Sequence, residues 1–189
     1  MKDFFILKRY VNEGDIFIDE YTDPSGYGKN FATGEHITDD SDDITQLYYK
    51  HKTHRKTDYV GGIFSFPVVS ERFKTKLVQF DADNLEFHSV KLTCKKTNES
   101  DNSYSFTNIL NHISCFDREK SEFTTSPLAP QVILKVQKLA LKEENIQNRN
   151  IFRIKEIRSV ILVSSKLKEE IEKQDFTGIT FMDVESFSK

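Results

Sequence analysis

Hydrophobic and polar positions follow the same order in two stretches of the chain, residues 69–90 and 163–184. The stretches align without a gap at an offset of 94 positions, residue 69 against residue 163. Six aligned pairs are identical: Val69 and Val163, Ser70 and Ser164, Lys74 and Lys168, Asp81 and Asp175, Phe87 and Phe181, and Val90 and Val184. The period is too long for a solenoid repeat. It indicates either a duplication inside one domain or a chance match between two short elements.

Each stretch predicts a helix followed by a turn and a strand. A serine, Ser70 or Ser164, stands where its side-chain oxygen can cap the first turn of a helix. Apolar residues follow at a spacing of four, as at Phe73 and Leu77, and give the helix one apolar face. After a polar turn, residues alternate as at 85–87, which is typical of a half-buried strand.

The first 55 residues predict a hairpin and a long loop. Residues 4–10 read as one strand, 12–15 as a turn and 16–18 as a second strand, so the two strands are expected to pair with each other. Residues 23–34 are rich in glycine and other turn formers and contain the aromatic residue Tyr27. Aromatic residues in such a loop either pack on the protein's own surface or contact a partner.

The sharpest charge contrast in the chain follows this loop. Four aspartates precede a short apolar run, residues 44–49, and a basic run, residues 50–56, comes next; the aspartates are Asp39, Asp40, Asp42 and Asp43. One interpretation is a short helix capped by Asp42 or Asp43, whose charges complement the helix dipole. The other is an acidic patch that binds the basic groove of a partner. The pair His51 and His54 lacks further ligands at suitable spacing, so we expect no metal site.

The remaining segments favour an α+β fold with a mostly antiparallel sheet and two or three helices, including the duplicated helix–turn–strand unit. Residues 104–116 read as a strand, residues 119–130 as a loop, and residues 132–141 fit a helix or strands equally well. We expect a single domain, residues 1–189, in which 1–55 form the hairpin and loop region and 56–189 form the duplicated core.

Composition narrows the classes of function. The net charge of −3 and the pI near 6.0 provide no basic field for nucleic acid. The two cysteines, Cys94 and Cys115, are too few for a disulfide framework, and we expect both to be buried free thiols. No apolar run is long enough for a membrane span or a signal-peptide core. A cytoplasmic protein is therefore expected.

Catalytic motifs are missing from the sequence. We find no phosphate-binding glycine loop, no nucleophile elbow, no paired metal ligands and no cofactor motif. Five polar residues could still line a pocket of a small enzyme or ligand-binding protein, which is the alternative function; they are Asp58, His88, His112, Asp117 and Arg153. Scattered charges do not by themselves make a reaction, and we expect no enzyme.

A set of motifs in a fixed order resembles the bacterial immunity-protein family eleven over about residues 56–184. The motifs are Asp58–Gly61, Val68–Lys74, Leu85–Val90, Tyr104–Leu110, Ile113–Asp117, Ile151–Arg153, Leu162–Ser164 and Thr177–Phe181. One departure is Ser89, which stands where that family usually has proline.

The resemblance implies an antidote encoded beside a polymorphic or contact-dependent toxin. Such a protein would neutralise its cognate toxin by tight binding, without a cofactor, a nucleic acid or a membrane as partner. Binding specificity would lie in exposed aromatic and charged residues. We therefore expect the partner-binding residues to be Asp39, Asp40, Asp42, Asp43, Tyr27, Tyr48 and Tyr49.

Overall fold

The computed structural model describes residues 4–22, 33–37, 44–51, 53–64, 66–146 and 148–188. Within these residues the strands are β1 (Phe4–Arg9), β2 (Phe17–Ile18), β3 (Glu20–Thr22), β4 (Thr45–Tyr49), β5 (Gly61–Gly62), β6 (Val68–Ser70), β7 (Leu85–Cys94), β8 (Ser100–Ile109), β9 (Glu122–Ser126), β10 (Ala129–Lys138), β11 (Ile151–Ile154), β12 (Ile157–Ser164) and β13 (Ile179–Asp183). The α-helices are α1 (Glu71–Asp81) and α2 (Ser165–Glu172). Single 3-10 turns cover Ala82–Asn84, Glu143–Asn145 and Val184–Ser186.

Two larger sheets organise the chain. The first has the strand order β3-β4-β7-β8-β6 and the second has the order β11-β12-β1-β13. The pairs β9–β10 and β2–β5 stand apart from both. Pairing is antiparallel except between β4 and β7 and between β2 and β5. The predicted α+β class with a mostly antiparallel sheet is confirmed.

Both serines cap their helices as predicted. The hydroxyl of Ser70 accepts the backbone N–H of Phe73 at 3.2 Å, and that of Ser164 accepts the N–H of Leu167 at 3.3 Å. The apolar face of α1, including Phe73 and Leu77, is fully buried. One continuous core lies between the two helices and both sheets, because residues from both predicted copies contribute to it; its members are Leu7, Tyr59, Val69, Phe73, Leu77, Leu85, Ile109, Ile151, Ile161, Val163, Leu167 and Ile171.

The two copies share strand order and register. In the first copy β6 and β7 flank β8, and in the second β12 and β13 flank β1, with antiparallel pairing throughout. Ser70 lies opposite Tyr104 and the aligned Ser164 lies opposite Phe4. Phe87 lies opposite Thr107 and the aligned Phe181 lies opposite Leu7. The middle strands therefore match at a constant offset of 100, residue 104 against residue 4. A common origin of the copies stays a prediction.

The predicted N-terminal hairpin is wrong. Strand β1 does not pair with β2. It lies between β12 and β13, two strands from the C-terminal part of the chain. Strand β2 pairs in parallel with β5 instead. The reason is that β1 has apolar side chains toward both of its faces, as at Phe4, Ile6 and Leu7, which a central position in a covered sheet buries and a hairpin would leave exposed.

Two further segments differ from the prediction. Residues 45–49 form strand β4 rather than a short helix, because Thr45, Leu47 and Tyr49 alternate toward the core beside β7. The expected loop 119–130 contains strand β9, and the ambiguous segment after it is strand β10. Both cysteines are buried free thiols, as predicted.

Candidate functional site

Asp58 ties the start of the first copy to the end of the second. Its carboxylate accepts hydrogen bonds from the Ser70 hydroxyl at 2.7 Å, the Arg72 guanidinium at 2.6 Å and the backbone N–H of Thr177 at 2.9 Å. Although burial opposes ionisation, the bonds from Arg72 and Thr177 hold the pKa of Asp58 below its ordinary value. The Asp58 carboxylate therefore accepts its hydrogen bonds from the protein's own chain, so Asp58 has a structural role.

Asp81 makes the reciprocal connection. Its carboxylate accepts the backbone N–H groups of Asn150 at 2.8 Å and Ile151 at 3.2 Å, and the guanidinium of Arg149 at 3.1 Å. Asn150 in turn accepts the hydroxyl of the capping Ser164 at 2.9 Å, as Asp58 does from Ser70. The turn after each helix thus holds the segment that precedes the other copy.

Three residues of the alternative enzyme pocket, Asp58, Asp117 and Arg153, each bond to a different part of the protein's own chain. Asp117 accepts the N–H groups of the turn that follows it, and the Arg153 guanidinium donates to the carbonyl of Arg158. His112 packs against Gly34, and burial together with the charge of Arg153 lowers the pKa of His112 to about 4. His88 lies 3.8 Å from Glu86. None of these residues lines the three main hollows in the described part of the chain.

Most of the expected partner-binding residues lie outside the described residues, namely Tyr27, Asp39, Asp40, Asp42 and Asp43. Tyr48 is half-buried on β4 and donates to the side chain of Gln46 at 3.0 Å. Tyr49 is only 5% exposed and packs in the core of the first sheet. Its ring therefore supports the strand from inside and offers no accessible surface.

Three exposed apolar side chains lie on the hairpin formed by β9 and β10, and one of them is the most exposed large apolar residue in the described part of the chain. Leu128 at its tip is 97% exposed, Leu134 is 58% exposed and Val132 is 46% exposed. The base of this hairpin is anchored, because Val136 is buried and Phe123 packs edge-on against Phe116 at 5.1 Å. Exposed apolar groups on an anchored arm are typical of an interaction surface.

The sequence contained a signal for this hairpin that the prediction missed. The stretch Ser126–Pro130 has prolines on both sides of Leu128, and alternating residues follow in 131–138. The two prolines predict the end of an irregular loop, whereas Pro127 lies in the turn of a hairpin and Pro130 lies in strand β10.

A second exposed apolar group lies where β2 meets β5. Tyr10, Val11, Phe17 and Ile63 are each more than 40% exposed there. Val11 and Phe17 both lie over Gly61, where a Cβ would collide with Val11 but would only contact Phe17. This surface adjoins a small hollow of about 230 Å³ that His51 and His54 help to line.

Two features are absent from the part of the chain that the structure describes, a metal site and a membrane-spanning helix. No group of three or more potential ligands is placed to hold a metal ion. No helix there has the length and apolar character needed to cross a membrane.

The chain matches a known protein family. Residues 6–186 match the family model described as "Immunity protein family (Imm11)", which includes the first strand, both copies and the hairpin. No curated protein matches the chain.

Proposed function

Because the chain belongs to the Imm11 family of immunity proteins, we propose that it neutralises a cognate bacterial toxin by binding the toxin directly. The protein acts in the cytoplasm, in stoichiometric amounts, and catalyses no reaction. The match to the family over residues 6–186 is the observation that carries this proposal. The separation of the candidate catalytic residues into structural networks supports it.

The tip of the β9–β10 hairpin supplies the apolar centre of the toxin-binding surface. Leu128 and Leu134 are exposed without the toxin and become buried when it binds. Complete burial of one leucine side chain contributes about 1.5–3 kcal/mol, so two such residues could provide much of the specific affinity.

The acidic segment steers the encounter. Asp39, Asp40, Asp42 and Asp43, with Tyr27 and Tyr48, face a basic surface of the toxin, while Tyr49 acts only by supporting β4. Replacing the four aspartates with serine should lower the association rate constant at low salt, because long-range attraction is then lost. Unchanged association kinetics would remove this segment from the binding surface.

Growth of cells tests the function itself. Cells that express the toxin domain encoded immediately upstream are grown with this protein, with an unrelated immunity protein, or with neither. Rescue by this protein alone is the expected result. Growth arrest in its presence, with the toxin verified as active, would refute the antidote function.

A matched set of variants then tests the hairpin. Leu128→Ser and Leu134→Ser should each weaken toxin binding about tenfold or more, because each removes apolar area from the interface. Val78→Ser is the control, since Val78 is also an exposed apolar residue, 40% exposed, but lies on α1. Equal affinities for all three variants would place the toxin elsewhere on the surface.

A further inference from the structure

Strand β13 has an open edge. It is the last strand of the second sheet and pairs with β1 over five consecutive residue pairs without a bulge. Its sequence, Ile179–Asp183, contains no lysine or proline. Proteins commonly use those residues, or a bulge, to prevent another strand from pairing with an exposed edge.

The register identifies which backbone groups face outward. The N–H of Tyr10 donates to the carbonyl of Gly178 at 2.9 Å, which continues the β1–β13 ladder by one hydrogen-bonded pair. Because hydrogen-bonded pairs alternate in antiparallel strands, residues 180 and 182 also face β1. The N–H and C=O groups of Ile179, Phe181 and Asp183 therefore point away from the sheet.

The corresponding edge of the first copy is covered. Beyond β7, which aligns with β13, the first sheet continues with β4 and β3. Residues 33–37 cover the N-terminal half of β7. The N–H of Ile37 donates to the side chain of Glu86 at 3.2 Å, and the side chain of Asn108 donates to the carbonyl of Glu35 at 2.8 Å. Within the described residues, no strand pairs with the outer edge of β13, although Asp58 and Tyr59 bond the backbone of Thr177 just before it.

Two hollows adjoin β13, one along the strand and one at its C-terminal end. One, of about 490 Å³, lies against α2 and includes Ile171, Phe176 and Phe181 in its wall. The other, of about 630 Å³, lies at the base of the β9–β10 hairpin and includes Leu139 and Val184. Side chains of an added strand alternate between the two faces of a sheet, so those that point toward α2 could enter the first hollow. The residues at one end of the added strand would reach the second hollow.

Carboxylates outnumber lysines along this edge. The charged residues of the two hollows are Glu143, Glu172, Asp175, Asp183 and Glu185 against Lys120, Lys138 and Lys168. Lys168 is already paired with Glu172 at 2.8 Å. The edge therefore complements a segment in which basic residues accompany apolar ones.

We propose that the open edge of β13 binds an extended basic segment of the toxin, which adds to the second sheet as its fifth strand. This inference rests on the proposed function and assigns part of the toxin-binding surface. The bound strand lies beside the base of the β9–β10 hairpin, because the larger hollow is shared by both elements.

Amide hydrogen exchange of the free protein and of its complex with the toxin domain tests the proposal. Toxin binding should slow exchange at Phe181 and Asp183 at least tenfold, because their N–H groups gain partners. The amides of Thr180 and Met182, already bonded to β1, serve as internal controls and should change less. A complex in which Phe181 and Asp183 exchange as in the free protein would overturn the proposal and leave the antidote function intact.

Two variants at one position separate the backbone from the charge. Asp183 has φ of −62°, which proline adopts without strain, so Asp183→Pro should fold and lose only the outward N–H and the carboxylate. Asp183→Asn retains the N–H. We expect Asp183→Asn to weaken toxin binding by about threefold and Asp183→Pro by at least about fivefold more. Equal affinities for the two variants would contradict strand addition.

Two other outcomes also count against the proposal. If the protein alone forms a dimer in sedimentation and Phe181 and Asp183 are already protected in that dimer, the occupant of the edge is a second copy of the chain. If the verified toxin neither binds nor is neutralised, the proposed function and this inference both fail.

Discussion

Replacing Asp58 with alanine should be among the most destabilising single changes on the surface between the two copies. The carboxylate accepts five hydrogen bonds, two from Arg72, two from Thr177 and one from Ser70. Alanine leaves the half-buried donors of Thr177 and Ser70 without this acceptor. Each unsatisfied buried donor costs about 1–3 kcal/mol. Arg72 adds less, because its side chain is 54% exposed and can be hydrated instead.

We therefore expect Asp58→Ala to lower the free energy of unfolding by about 3 kcal/mol. With a urea m-value of about 2 kcal/mol/M, the unfolding midpoint should fall by about 1.5 M. Asp183→Asn is the control, because this carboxylate is exposed, and its midpoint should stay within about 0.3 M of the parent protein. A loss below about 1 kcal/mol for Asp58→Ala would refute the reasoning that this carboxylate joins the copies.

The pH dependence of the same variant has a definite sign. The pKa of Asp58 is lower in the folded protein than in the unfolded chain, so its contribution to stability is fully present above the unfolded pKa. That contribution is lost as pH falls through the folded pKa. The difference in stability between the parent protein and Asp58→Ala should therefore be largest near pH 6 and should shrink below about pH 4. A difference that stayed constant down to pH 3 would contradict the assignment.

Three further predictions concern stability. Gly178→Ala should lower the free energy of unfolding by about 3 kcal/mol in urea titrations, because Gly178 has φ of +79° and a Cβ would collide with the carbonyl of Tyr59. Gly14 is the control: it has φ of +86° but open space around it, so Gly14→Ala should lower the free energy of unfolding by only about 1 kcal/mol. Ser164→Ala should lose about 1 kcal/mol through the helix cap, and Ser164→Thr should retain most of it. His112 has a pKa of about 4 in the folded protein, below its ordinary value, so stability should fall between pH 6.5 and 4, and His112→Gln should lessen that fall in the same titration.

The enzyme alternative depended on five polar residues meeting in one cleft. The structure gives Asp58, Asp117 and Arg153 structural bonds instead, such as those that Asp117 accepts from the N–H groups of Glu119 and Lys120. Types of residue alone could not decide between these roles, because a buried carboxylate at a turn and a catalytic carboxylate look the same in sequence.

The sequence by itself determined the two helix–strand units. Ser70 and Ser164 cap their helices and the apolar pairs that follow are buried, because capping and helical periodicity depend on residues within about one turn of the chain. The ordered motifs were also sufficient to indicate the immunity-protein family, which the match over residues 6–186 confirms.

Only the tertiary structure decided how these units are completed. Strand β1 lies between β12 and β13, and residues 45–49 become a strand because β7 is available beside them. The charge pattern around residues 45–49 by itself predicted a short helix. Pairing partners more than 150 residues apart, as for Phe4 and Ser164, leave no local periodicity, since a strand exposes the same edge groups to any neighbour. For the same reason, only the strand order of the described residues shows that β13 ends the second sheet.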